Sequence, residues 1–405
     1  MKCLVLMPQR STVVLDRVRW ECQVVRKDGD RVESLQDLWF DAPTTDEASL
    51  GEGDAEPYLI ACLLWAMQEA RALVVHGRVS RCLLQNLDEY MVFWSRVAPS
   101  RYQQVEISVD VVEDQPVPPP GADVLGTGPA MAAFSGGLDA TFLAWRHHTQ
   151  RAGWRSRNIR FFVMLSGFDI RHGQVAHVDA SMASARQTLA DIGAELKTLR
   201  TNLRDLVPVR WDDLHGTCLV ACMHFFKAHV RTLLAASCEP YDDLVIPWGM
   251  SPLSDHLLSS ASLRVIHDGA EFSRSEKAAG VSDWAVGRDH LRVCWQDQAL
   301  GGNCMKCEKC LRTTANFAMK GVRIPASLGG DDRHLRQNIF RIKLRTPAQE
   351  SEWRSIRSMP FPGDRRPLWH RWIPVLLAVS RLRRWYYVVK GQPERAGVRK
   401  MSSSC

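Results

Sequence analysis

The chain has 405 residues, 45% hydrophobic and 24% charged, a balance that fits a folded globular protein and excludes a disordered or fibrous one. This length suits two or three domains rather than one. No run reaches the ~20 apolar residues that a membrane-spanning helix needs, and the opening MKCLVLMPQR reads as strand rather than leader, so a cytoplasmic chain without a transmembrane segment is expected.

Residues 1–122 form a first zone. Thr12–Leu15 and Trp20–Val25 read as antiparallel strands, Tyr58–Met67 and Ser80–Val92 as helices, and Gln104–Val111 as a closing strand. The prolines of Pro116–Gly121 cannot pair in a sheet and mark a stiff linker, so this zone is expected to be a smaller α+β domain. Between 123 and 325 short apolar strands alternate with helices. Strands are expected at Ala130–Phe134, Ile159–Leu165, Glu195–Thr201, Leu244–Pro247 and Leu263–His267, with helices from Asp139, over Val178–Gly193 and over His215–Ser237. Such alternation predicts an α/β domain, a parallel sheet covered by helices on both faces. Residues 326–405 are basic and aromatic and partly helical: from Arg341 to Cys405 there are 15 Lys/Arg against 4 Asp/Glu, so of the net +7 this segment holds +11 and the rest −4. Contact with RNA, a protein partner or a membrane surface is open for it, as is a homodimer.

The most informative segment is Met131–Phe142, where an apolar strand runs into Ser135–Gly136–Gly137 and a helix begins at once. Two glycines at a strand tip let backbone N–H groups approach an anion, and the helix adds unpaired N–H groups and the positive end of its dipole. Ser135 offers a hydroxyl. Asp139 would be repelled by bare phosphate, so it is either a helix cap or works through Mg²⁺. Strand ends of such sheets carry ligands, which brings in Leu165 and Ser166 with Asp169, Asn202 and Arg204, and Gly249 within Pro247–Ser251. His215 reads as a helix-start histidine or an acid–base group, and His267–Gly269 as a turn.

Of the 12 cysteines, eight are scattered among apolar neighbours, as buried free thiols in a reducing compartment are. The other four, Cys294, Cys304, Cys307 and Cys310, have the spacing of a tetrahedral metal knuckle. Four thiolates fill a Zn²⁺ coordination sphere, which makes the site structural; an iron–sulfur cluster and unliganded thiols are the alternatives. Lys306, Lys309 and Arg312 are placed to offset the excess negative charge.

The run Ser135–Gly136–Gly137–Leu138–Asp139 resembles the fingerprint of the PP-loop ATP pyrophosphatases, with Ala140 where Ser or Thr is usual and Thr141 next. With the cysteine motif Cys304–Arg312 about 150 residues on, residues 130–320 resemble the 7-cyano-7-deazaguanine synthases. The resemblance implies a Rossmann-like domain that binds ATP at Ser135–Thr141 with Leu165, Ser166 and Gly249. It further implies adenylation of a small-molecule acid or amide for attack by ammonia or an amine, with release of pyrophosphate and AMP, and a structural Zn²⁺. Asp139, Lys277 and Asp255 are its implied catalytic residues, Lys277 near the phosphates and Asp255 at the acceptor. Two alternatives stand beside it: a tRNA-modifying enzyme of the same class, and a catalytically attenuated nucleotide-binding subunit, the latter prompted by Ala140.

Overall fold

The computed structural model describes residues 1–114, 128–170, 174–294 and 302–390; the proline linker at 116–121, Gly301 and the tail 395–405 lie outside them. The chain is mixed α/β, and it divides into two compact units that do not follow chain order. The first comprises Met1–Ser135, Arg146–Cys238 and Ile246–Ala270; the second comprises Gly136–Trp145, Glu239–Val245 and Glu271–Cys405.

The first unit carries one large sheet. Its strands are β1 (Lys2–Pro8), β2 (Thr12–Val14), β3 (Arg17–Asp28), β4 (Arg31–Pro43), β5 (Ala72–Ser80), β6 (Ile107–Glu113), β7 (Ala130–Ala133), β8 (Ile159–Ser166), β9 (Glu195–Thr201), β10 (Thr232–Ala236) and β11 (Arg264–Asp268). The order is β11-β10-β7-β8-β9-β4-β3-β1-β5-β6, with β2 paired to β3. The five strands from β11 to β9 are parallel throughout. They join the antiparallel β4–β3–β1 set where Phe40 and Asp41 pair with Thr201 and Arg200. The early strands therefore share a sheet with the later ones.

The helix Glu56–Glu69 is buried on nearly every side, from Glu56 to Met67, as its unbroken apolar run from Pro57 to Met67 requires. It belongs to the first unit's core with Trp20, Phe40, Trp94 and Phe225. Where the sequence suggests one helix over His215–Ser237, the structure has a helix at Trp211–Met223 and then strand β10. A continuous apolar run has no period that separates a buried helix from a buried strand. Leu244–Pro247, expected as a strand, is none; Pro247 lacks the N–H a central strand must donate. His267 and Asp268, read as a turn, end β11.

The second unit is largely helical. Its core joins Leu311, Ala315 and Met319 of the helix Glu308–Met319 to Trp353, Ile356, Trp369, Ile373 and Leu377. Part of the aromatic C-terminal segment is thus core: Trp353 and Trp369 are buried, and their indole N–H groups donate to Glu308 (2.9 Å) and Asp332 (3.0 Å).

Candidate functional site

In the first unit the chain runs from β7 to β8 and β9 on one side and returns with β10 on the other side of β7. The carboxyl end of β7 is therefore a topological switch point, where open α/β sheets bind ligands. Phe134 holds that end by donating its N–H to Val163 O (2.9 Å), and Ser135 beyond it is exposed. Leu165 and Ser166 end β8, opposite Leu199 and Arg200, and Ser166 is buried. Asp169 pairs with Arg204 at 3.3 Å. Asn202 accepts from the Trp39 N–H and donates to Asp37 O, so it ties β4 to the end of β9.

Gly249 plays a packing part. A Cβ there would lie 2.6 Å from His215 Nδ1, and one on Gly216 would lie 1.9 Å from Gly249 O. Two glycines let the 247–250 loop press against the start of the Trp211–Met223 helix. This approach leaves His215 half-buried, and loss of solvent lowers its pKa. Asp255 is enclosed as well: it accepts from the Ser251 N–H (2.9 Å) and meets His267 Nδ1 at 2.7 Å. His267 Nε2 and Ser254 Oγ are buried with no hydrogen-bond partner among the described residues.

The second unit holds the rest of the loop and its charges. Gly136 has φ +72°, and its carbonyl accepts from the Arg292 N–H (2.8 Å). Gly137 O accepts from the Thr141 N–H (3.0 Å), which starts the helix Leu138–His148. Leu138, Ala140 and Thr141 are buried. Asp139 stands in that first turn, and two cations converge on it: Arg274 Nη2 at 2.9 Å and Lys277 Nζ at 3.4 Å. Burial opposes the Asp139 charge, but Arg274 and then Lys277 outweigh it and hold the carboxyl below its usual range.

Local sequence explains why those cations meet there. Ser273 and Glu276 form a capping box that fixes the start of the helix Arg274–Ser282. Arg274 and Lys277 lie three residues apart, hence on one face. Gly280 lets that face come close: a Cβ on it would sit 2.7 Å from Trp145 and 2.8 Å from Phe142. Two cations in the first turn of a helix oppose its dipole, and the Lys277 side chain is only 1% exposed. An arrangement so costly needs anions to hold it.

The four cysteines come together in this same unit, their Sγ atoms all within 4.8 Å of one another. Sγ–Sγ separations of 3.9 Å (Cys294–Cys307), 4.0 Å (Cys304–Cys310) and 3.4 Å (Cys307–Cys310) bracket the about 3.8 Å edge of a tetrahedron with 2.3 Å metal–sulfur bonds. These residues can hold a metal ion. Backbone N–H groups of Cys307 and Cys310 point at the sulfurs of Cys304 and Cys307, and Cys307 caps the helix Glu308–Met319. Asn303 secures the arriving segment by accepting from the N–H groups of Val293 and Cys294. The Cys294 thiol pushes Cys307 up to about 12, and Cys294 and Cys307 push Cys310 upward; a bound cation is what reverses such a trend.

Arg312, expected to offset the thiolate charge, instead pairs with Glu308 (2.8 Å) and Glu352 (3.3 Å). The knuckle helix also reaches the cationic one, since Ser275 Oγ donates to Asn316 Oδ1 at 2.6 Å. Sequence reasoning missed Arg292, Asn303, Asn316, Glu352 and the partner of Asp255, His267. Only Arg292 and Asn303 carried a signal, each lying close to a knuckle cysteine. Compared with protein-family models, with curated proteins and with solved structures, the chain matches none.

Proposed function

We propose that the protein is an ATP-consuming, AMP- and pyrophosphate-forming enzyme of the PP-loop type. In this reading it adenylates a small carboxylate or amide for attack by ammonia or an amine, as the 7-cyano-7-deazaguanine synthases do. The observation that carries the reading is the pair of enclosed cations, Arg274 and Lys277, gathered at the helix start that follows Ser135–Gly136–Gly137. Both positive charges meet Asp139 in the first turn that follows the glycine loop, and clustered cations at a helix N-terminus are the electrostatic setting that favours polyphosphate.

The chain's own contribution is positional and electrostatic. N–H groups of the glycine loop and helix start bind phosphate oxygens, and Arg274 and Lys277 stabilise the charge that grows on the departing pyrophosphate. The acceptor oxygen forms a bond to the α-phosphorus as the bond to the β-phosphate oxygen breaks. The nitrogen nucleophile then bonds to the acceptor carbon, loses its proton to solvent or a base, and AMP leaves. Mg²⁺ does not fit as a ligand of Asp139 in this arrangement, because each of its oxygens already meets a cation, and no step is assigned to it. Zn²⁺ fits the four thiolates, leaves no open position and would act as a structural tie; a cubane cluster would hold the sulfurs farther apart than the observed spacing.

The test is α-labelled ATP with candidate acids and amides. Labelled AMP and pyrophosphate are the expected products, whereas ADP alone would overturn adenylation. Ala140, buried in the helix start, distinguishes the attenuated reading: tight ATP binding without turnover, restored by Ala140→Ser, would identify a weakened site.

A further inference from the structure

The C-terminal helix Ile373–Val389 has two apolar faces, and only one of them is used. Ile373, Leu376 and Leu377 are in the second unit's core. Trp372, Val375, Val379, Leu382, Tyr386 and Val389 are 40–66% exposed. Their spacing alternates three and four residues, which draws one continuous stripe along the helix. At about 100° per residue the stripe, with exposed Trp385 at its margin, covers an arc of about 140°. Arg381 lies just past one edge and Arg383 just past the other, while Arg384 turns to the opposite side and pairs with Glu350. From Leu368 to Lys390 the sequence has five Lys/Arg and no Asp/Glu.

We propose that this face docks on an anionic lipid bilayer, lying flat at the interface rather than crossing it. Charge complementarity selects the occupant. A second copy would bring Arg381 and Arg383 against their own kind, with no acid on either helix to answer them. Nucleic acid would use the arginines but leave Val375, Val379, Leu382 and Val389 in water. A bilayer surface takes both: the aliphatic stripe enters the acyl boundary, Trp372, Trp385 and Tyr386 sit at headgroup level, and the flanking arginines meet lipid phosphates. The helix is not long and apolar enough to cross a membrane.

The experiment is sedimentation of the full chain with vesicles of phosphatidylcholine alone or with about one-third phosphatidylserine, at low salt and at about 0.5 M salt. At least about tenfold more protein on the anionic vesicles, lost at high salt, is expected. Leu382→Glu and Arg381→Glu should each remove that binding while leaving the unfolding midpoint unchanged, since both side chains are exposed. Equal binding to neutral and anionic vesicles, or none to either, would overturn the proposal. It would fall equally if Leu382→Glu turned a dimer into a monomer, or abolished filter retention of RNA.

Discussion

Two sets of basic side chains in the second unit face opposite physical situations. Arg274 and Lys277 are enclosed, both meet Asp139 and sit where a helix dipole opposes them. Arg381 and Lys390 stand in solvent beside an apolar stripe, with no acid in their segment. Enclosure raises the worth of each charge and fixes its partner, so the first set suits a small anion of defined geometry. Exposure weakens and averages the interaction, so the second set needs an extended surface and the help of apolar area. The same residue types thus serve a site in one place and a surface in the other.

Loss of the tie beneath the first set should have the largest effect. Cys307→Ala is expected to abolish stoichiometric zinc, measured by elemental analysis, and to lower the unfolding midpoint by roughly 10 °C. Because Asn316 links the knuckle helix to the Arg274–Ser282 helix, ATP turnover should fall with it. An unchanged metal content would break the link between knuckle and site.

Asp139→Asn comes next. It removes the carboxylate that Arg274 and Lys277 both meet, at a cost of about 3 kcal/mol in denaturant unfolding near neutral pH. The Asp139 pKa is depressed in the fold, so its contribution is present above the unfolded value of about 4 and is lost as pH falls through the folded one. The gap between wild type and variant should therefore close in acid. Lys277→Met sharpens the functional half: pyrophosphate release is expected to drop about 100-fold, with a smaller change in stability than Asp139→Asn.

Glu239 gives a smaller effect of opposite sign. Burial pushes its carboxyl up to about 7, although it accepts from the Val245 N–H. An acid whose folded pKa is raised weakens the fold as pH climbs from about 4 through 7. Glu239→Gln keeps the acceptor, and should make the protein about 1–3 kcal/mol more stable than wild type at pH 8, with little difference at pH 4. The smallest stability effect belongs to Leu382→Glu, within about 0.5 kcal/mol, which makes it the cleanest probe of the exposed face.

Several local features were legible because short-range physics decides them. β9 falls on Glu195–Thr201 as read from the sequence, and the Gly-Gly junction does separate a strand from a helix. β10 was not legible, since its apolar run continues the helical pattern that begins near His215 and fits either period. The aromatic C-terminal segment shows the same limit. Trp353 and Trp369 are core while Trp372 and Trp385 are exposed, and composition cannot tell one tryptophan from the next. Among the site residues, the four cysteines converge as their spacing demanded. Asp255 found an unforeseen partner in His267, and Gly249 a packing role against His215.

By itself the sequence determined the α/β alternation, the glycine turn before Leu138 and the four-cysteine cluster, each of which depends on spacing over a few residues. Tertiary structure alone decided that strands from residues 2–43 share a sheet with the parallel core, that Arg274 and Lys277 close on Asp139 across more than 130 residues, and that Arg312 meets Glu352 in addition to its helix neighbour Glu308. Register pairing and charge pairing between distant segments depend on which surfaces the core brings together, and no local pattern encodes that.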